Sequence, residues 1–185
     1  MNRVFLGLGA NRAGAWGPPA DTLRQACCEL SAAGVEVVAA SHVYATAPLG
    51  PGRQASYLNA VLEVRAPLAP AALLRLIKRI ERRSGRRLGV PWGPRSLDID
   101  ILDFAGRRLG WPARRRRRGT LILPHPEMHR RAFALVPLLE AAPHWRHPAL
   151  GFPVRTLLAR LPLAGRRGVR QSLDLARSAC DKAQQ

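Results

Sequence analysis

Lysine is nearly missing from this chain: of its 30 basic residues 28 are Arg, and Lys occurs only at positions 78 and 182. A scheme that needs a catalytic or phosphate-gripping Lys has almost no candidates, so guanidinium groups must carry the anion chemistry. Acids are sparse too, twelve in 185 residues, which leaves a formal charge of +18. That excess predicts attraction to anions, whether nucleic acid, anionic lipid or phosphorylated small molecules, and does not choose among them. Cysteine is limited to Cys27, Cys28 and Cys180, with no CxxC and no Cys/His metal spacing, so neither a disulfide framework nor a zinc site is expected. No apolar run approaches the ~20 residues of a membrane span, and Val4 to Ala10 is only a short, Gly-interrupted look-alike of a signal h-region. A cytoplasmic chain is the expectation.

What is present reads as an ordinary globular composition, 47% hydrophobic and 23% charged, on a chain of one-domain length. Val4–Gly9 suits a buried strand; Asp21 is placed to cap a helix carrying Leu23, Ala26, Cys27 and Leu30 on one face, with Gly34 as its stop. Strand character follows over Val35–Val43, and again over Tyr57–Val64 after a Pro/Gly loop. Pro70 opens a second helix whose apolar face is Leu73, Leu74, Leu76, Ile77 and Ile80, and Gly85 ends it. Leu97–Leu102 is the next strand, Arg131–Leu139 a helix broken by Pro137, and Val154–Leu161 a short amphipathic helix before a loosely held Gly/Arg-rich tail. His42, His129, His144 and His147 are left as surface or loop residues. This order predicts an α/β sandwich with a partly antiparallel sheet, in a domain of residues 1–150 followed by a short helix and basic tail over 151–185.

Against the scarcity of acids, Asp98, Asp100 and Asp103 fall within six positions. On a strand, residues i and i+2 share a face about 6.6 to 6.8 Å apart, so Asp98 and Asp100 point together while Leu97, Ile99 and Ile101 point into the core. Two such carboxylates repel, and without a cation one is expected to show a raised pKa; with Mg²⁺ both can ligate ions that also grip phosphate oxygens. Arg95 on a Gly-Pro turn, and Glu81, Arg86 and Arg87 at the preceding helix end, complete a phosphate pocket. A solvated acidic strand edge fits the same spacing. There is no GxxxxGK[ST] loop, and Gly7 and Gly9 lack the third glycine of GxGxxG because Arg12 occupies its place.

The run WGPRSLDIDIL (92–102) resembles the signature of the 6-hydroxymethyl-7,8-dihydropterin pyrophosphokinase (HPPK) family, and FLGLGAN (5–11), YATAPLGPGRQASYLNA (44–60) and LPHPEMHRRAFALVPLLEAAP (123–143) follow that family's order. The resemblance covers about residues 3 to 145 and implies a ferredoxin-like α-β-α sandwich with a mixed, largely antiparallel sheet. It implies pyrophosphoryl transfer from ATP to the hydroxymethyl group of the pterin, with AMP released, in folate biosynthesis. By that resemblance Asp98 and Asp100 bind two Mg²⁺ ions, and Arg86 and Arg95 contact the phosphates. Glu81, Trp92, Ile101, His125 and Arg131 match further nucleotide-side positions. For the pterin, the pattern points to Gly9, Thr46, Ala47, Leu49, Tyr57, Asn59, Trp92 and Phe133. A flat heterocycle suits aromatic faces from Phe133 and Tyr57 or Trp92, with the Asn59 amide reading its edge.

The chain departs from that pattern in places. Ala47 stands where the family commonly has Pro, RLGVP before Trp92 is one residue short, and Thr120 and Ile122 occupy positions where the family often has Arg and Thr. Arg114–Arg118 forms a charge run read mainly as solvated surface. The alternatives carried forward are a basic nucleic-acid-binding module and a low-activity paralogue that binds ATP or pterin. On the leading reading the partners are small molecules, with no membrane, no nucleic acid as main partner, and a monomeric state.

Overall fold

The structure, a computed structural model, describes residues 1–47, 54–86, 93–112, 120–163, 165, 168–173 and 175. Strand β1 (Asn2–Ala10) lies between β4 (Tyr57–Ala66) and β5 (Asp98–Phe104). Along its other edge β4 carries β2 (Glu36–Ala40) and β3 (Val43–Thr46), and β3 pairs with β6 (Val169–Leu173). All these pairings are antiparallel.

Period-2 alternation along β1 sends Val4, Leu6 and Leu8 to one face and Phe5 to the other. The first face is closed by α1 (Pro19–Ala32) and α2 (Pro70–Arg83), through Leu23, Leu30, Leu73 and Ile77. The second is closed by α3 (Ala132–Ala141) and α4 (Val154–Ala159), where Leu135, Leu138, Val154 and Leu157 meet Phe5, Val61 and Leu102. The result is the α-β-α sandwich expected. No described helix is long and apolar enough to cross a membrane.

Four local readings change. Helix α1 starts at Pro19, where the fixed φ of proline favours a first turn, so Asp21 lies inside that turn, 2.7 Å from Arg24, and caps nothing. The expected strand Val35–Val43 is two strands, because Ser41 interrupts it: its N–H donates to the Val61 carbonyl and its Oγ accepts the Val61 N–H. Helix α3 runs through Pro137 without ending; proline costs the one helical hydrogen bond to the Phe133 carbonyl, and burial of Leu135 and Leu138 on either side outweighs it. The C-terminal segment is not loose throughout, since β6 joins the sheet and Leu175 is 2% exposed in the core shared with Val43.

His147 also departs from expectation: it is fully buried. Its Nδ1 accepts the N–H groups of Ala149 and Leu150, which satisfies one nitrogen locally, and the rings of Trp111, Trp145 and His129 stand edge-on around it at 5.2–5.8 Å. Burial, with the neighbouring His129, pushes its pKa down to about 4.

Candidate active site

Because β4, β1 and β5 pair in register, Asn59, Gly9 and Asp98 form one row across the sheet and Val61, Gly7 and Asp100 the next. Both rows face the α3 side. With no side chain at Gly7 or Gly9 the middle of each row is bare backbone, and a cavity of about 420 Å³ opens above it, a size that admits small molecules. A Cβ at Gly9 would stand 3.2 Å from the Asn59 amide oxygen, and one at Gly7 3.2 Å from the Leu102 side chain. Phe133 and Ala134 of α3, with Arg131 just before it, roof the cavity.

One end is neutral. Thr46, Ala47, Tyr57 and Asn59 line it. The buried Asn59 amide donates 2.8 Å to Thr46 Oγ1, which fixes the amide's orientation and turns its oxygen over Gly9. Tyr57 donates its phenol to the Gly93 carbonyl at 3.1 Å, and burial raises its pKa. The Phe133 ring lies under the Arg131 guanidinium, 5.6 Å from its centroid.

The other end is charged. Arg86 donates 2.6 Å to one oxygen of Asp98 and Arg95 donates to the other, in a closer contact. Burial pushes the Asp98 carboxyl up, but the two guanidinium charges overcome it and hold the pKa below the ordinary range. The raised carboxylate pKa expected at Asp98/Asp100 is therefore not what Asp98 shows; arginines take up the charge there. Asp100 stands beside it, with His125 Nε2 at 3.8 Å. His125 Nδ1 accepts the Glu127 N–H, so the ring proton sits on Nε2, facing that carboxylate.

Some expected residues stand behind this surface. Glu81 is 2% exposed and does not line the cavity: its carboxylate accepts the Ile99 N–H between the two aspartates, pairs with Lys78, and meets Arg86 at 2.5 Å. Burial raises its pKa against the pull of Lys78 and Arg86. The Ile101 side chain belongs to the core beneath α1 and α2. Asp103, third of the clustered acids, accepts Trp145 Nε1–H at 2.9 Å and the Gly106 N–H, a structural role. Leu49, Trp92 and Arg114–Arg118 lie outside the described residues.

Two residues that sequence reasoning passed over matter here. Gly7 makes half the floor. Asn11 is buried; its Oδ1 accepts the Arg95 N–H at 2.8 Å, its own N–H donates to the Arg95 carbonyl, and its amide nitrogen donates to Gln54 and the Ala55 carbonyl. It thereby ties the backbone of a charged-end residue to the segment entering the neutral end. The FLGLGAN block contained both residues, and strand register was the signal that would have found Gly7.

Among the described residues no group of three His, Cys, Asp or Glu stands together as a metal cage. Two adjacent carboxylates open to a cavity fit Mg²⁺ nonetheless, since that ion is held by one or two carboxylates and takes its remaining oxygens from phosphate and water.

A carboxylate pair and fixed guanidiniums at one end of a cavity, and an amide and aromatic rings at the other, define a group-transfer enzyme that brings a phosphorylated donor to a flat acceptor. The model of the family "7,8-dihydro-6-hydroxymethylpterin-pyrophosphokinase (HPPK)" matches residues 5–143, and the chain belongs to that family. It is 36% identical over 159 residues to a 2-amino-4-hydroxy-6-hydroxymethyldihydropteridine pyrophosphokinase of Synechocystis, covering 85% of this chain and 75% of that one. A protein of the same name from Methylorubrum extorquens is 39% identical over 166 residues, covering 89% and 97%. In fold the chain is similar to the crystal structure of an HPPK-DHPS protein of Plasmodium falciparum, with TM-score 0.64 and 15% identity; it covers 86% of this chain and 45% of that longer one. The activity is pyrophosphoryl transfer in folate biosynthesis, and the nucleic-acid-binding alternative is not favoured.

Proposed function

We propose that ATP binds at the charged end and the pterin at the neutral end, so that the glycine floor carries both reactants edge to edge. The observation that carries this reading is the pair of cross-strand rows: the Asn59 amide and the Asp98 carboxylate stand on opposite sides of the bare Gly9, and Val61 and Asp100 on opposite sides of the bare Gly7. Asp98 and Asp100 hold Mg²⁺, two ions being the reading, and bound Mg²⁺ supplies charge neutralisation on the phosphates. Arg86 and Arg95 exchange Asp98 for phosphate oxygens, a fork geometry that Lys would not reproduce. Arg131 and the His125 Nε2–H add donors from the roof. Glu81 acts through Arg86, while Trp92 and the backbone of Ile101 complete the nucleotide side. Gly9, Thr46, Ala47, Leu49, Tyr57, Asn59, Trp92 and Phe133 form the pterin side.

In the reaction the pterin hydroxymethyl oxygen bonds to the β-phosphorus, the bond from that phosphorus to the oxygen bridging the α-phosphate breaks, and AMP departs as the hydroxyl proton is released. The chain's own contribution is positioning and stabilisation of phosphate charge. It works on small molecules as a cytoplasmic monomer. The direct test is product analysis with ATP and hydroxymethyl-dihydropterin: AMP formed only when pterin and Mg²⁺ are present is expected, and ADP formation, or AMP independent of pterin, would refute the reading.

A further inference from the structure

The family match ends at residue 143, yet a strand well beyond it pairs with the strand that carries Thr46 to the neutral end of the cavity. Strand β6 pairs with β3 from Val43 to Thr46, and two residues past β6 the buried Leu175 enters the core that also holds Val43. Without β6, β3 would be a four-residue edge strand, and short edges with unpaired N–H and C=O groups open readily. What β3 carries is Thr46, whose hydroxyl accepts the hydrogen bond that orients the Asn59 amide. From the α3 side Glu140 helps hold the strand, accepting the Tyr44 phenol at 2.8 Å and pairing with His42 just before it.

We propose that β6 and Leu175 are a positioning element for the acceptor: by making β3 an interior strand they hold Thr46, and through it the Asn59 amide, in the geometry that reads the pterin edge. The inference rests on the pterin reading of that end. An amide already oriented costs less ordering on binding, so the C-terminal segment raises affinity for the pterin and leaves affinity for the nucleotide alone. The nucleotide residues stand at the end of α2, on β5 and the segment just before it, at His125 and at the start of α3, away from the β3–β6 edge.

The test uses the full chain with Leu175→Ala, Arg170→Pro and Gln171→Pro. Neighbouring N–H groups on a strand face opposite sides, so of the two proline variants one removes a rung toward β3. Amide exchange at residues 43–46 is measured, with calorimetric Kd values for a non-hydrolysable ATP analogue alone and for hydroxymethyl-dihydropterin at saturating analogue. Leu175→Ala and one proline variant are expected to speed exchange at 44–46 and raise the pterin Kd about tenfold, with the analogue Kd within about twofold of the unmodified chain. Unchanged exchange, faster exchange with an unchanged pterin Kd, or equal loss for both ligands overturns the proposal. If the unmodified chain binds no pterin, the reading of the neutral end itself has failed, and the exchange data still say whether β6 holds β3.

Discussion

At the neutral end of the cavity, Asn59 and Thr46 are already joined in the geometry a ligand would meet, whereas at the charged end Asp98 is engaged by the same arginines that phosphate would require. The neutral end is ready-made; the charged end is self-neutralised and works by exchange of partners. The difference follows from what each end must offer. A fixed amide costs nothing to leave oriented, while buried charge without a partner costs several kcal/mol, so arginine and aspartate shelter each other until a ligand divides them.

The sharpest way to break this contrast is Asp98→Asn. On the proposed reading, loss of the carboxylate removes a metal ligand and leaves both arginines without their counter-charge, so kcat should fall by about a hundredfold or more with the pterin Kd little changed, as steady-state kinetics and calorimetry would show. Near-normal turnover would mean that Asp98 is only a partner for arginine.

Next in size is a pH effect from outside both ends. His147 has a folded pKa near 4 against about 6.5 unfolded, so the unfolded chain binds the extra proton between these values and stability falls as pH drops. Between pH 7 and pH 5 the loss is about 2 kcal/mol. Denaturant titrations of the protein and of His147→Asn, which keeps an acceptor for the two N–H groups, should differ by that slope. The positive groups facing it are His129 and, through that ring, Arg130.

Asn59→Ala tests the ready-made end alone: pterin affinity should fall about tenfold and nucleotide affinity stay, read by calorimetry. The smallest effect is at acid. Asp98 has a depressed folded pKa, so its contribution to stability is complete above the unfolded value of about 3.9 and is lost as pH falls through the lower folded value. The stability difference between the protein and Asp98→Asn should therefore be flat from pH 7 to 5 and change only below about pH 4.

The Asp98/Asp100 pair was legible from two-residue alternation alone, and so was the burial of Leu97, Ile99 and Ile101 behind it. Helices α1 and α2 were legible because each carries one apolar face that ends at a glycine. The cavity floor was not, since Gly7 and Gly9 become a floor only when β4 and β5 lie on either side, and register is a long-range property. Asn11 and His147 escaped for a related reason: the partners that satisfy Asn11 are 43 to 84 residues away, and the rings that bury His147 come from three separate segments. Proline at 137 misled because tertiary packing outweighs a single missing helical bond.

The pairing of β1 with β5 shifts register between Phe5 and Leu6, where Ile101 and Asp103 become the partners and Leu102 is the residue over. That residue reverses the parity of the strand. Upstream of it, even positions look into the cavity, as Asp98 and Asp100 do; downstream, the odd position Asp103 turns to the same side and anchors Trp145, while Phe104 turns to the core beneath α1 and α2. One supernumerary leucine lets a seven-residue strand place the cavity-lining acids at one end and a structural acid at the other without sending any of them into the apolar core. Were the same seven residues to alternate without that bulge, Asp103 would turn toward the core face and the Trp145 indole would lose its acceptor.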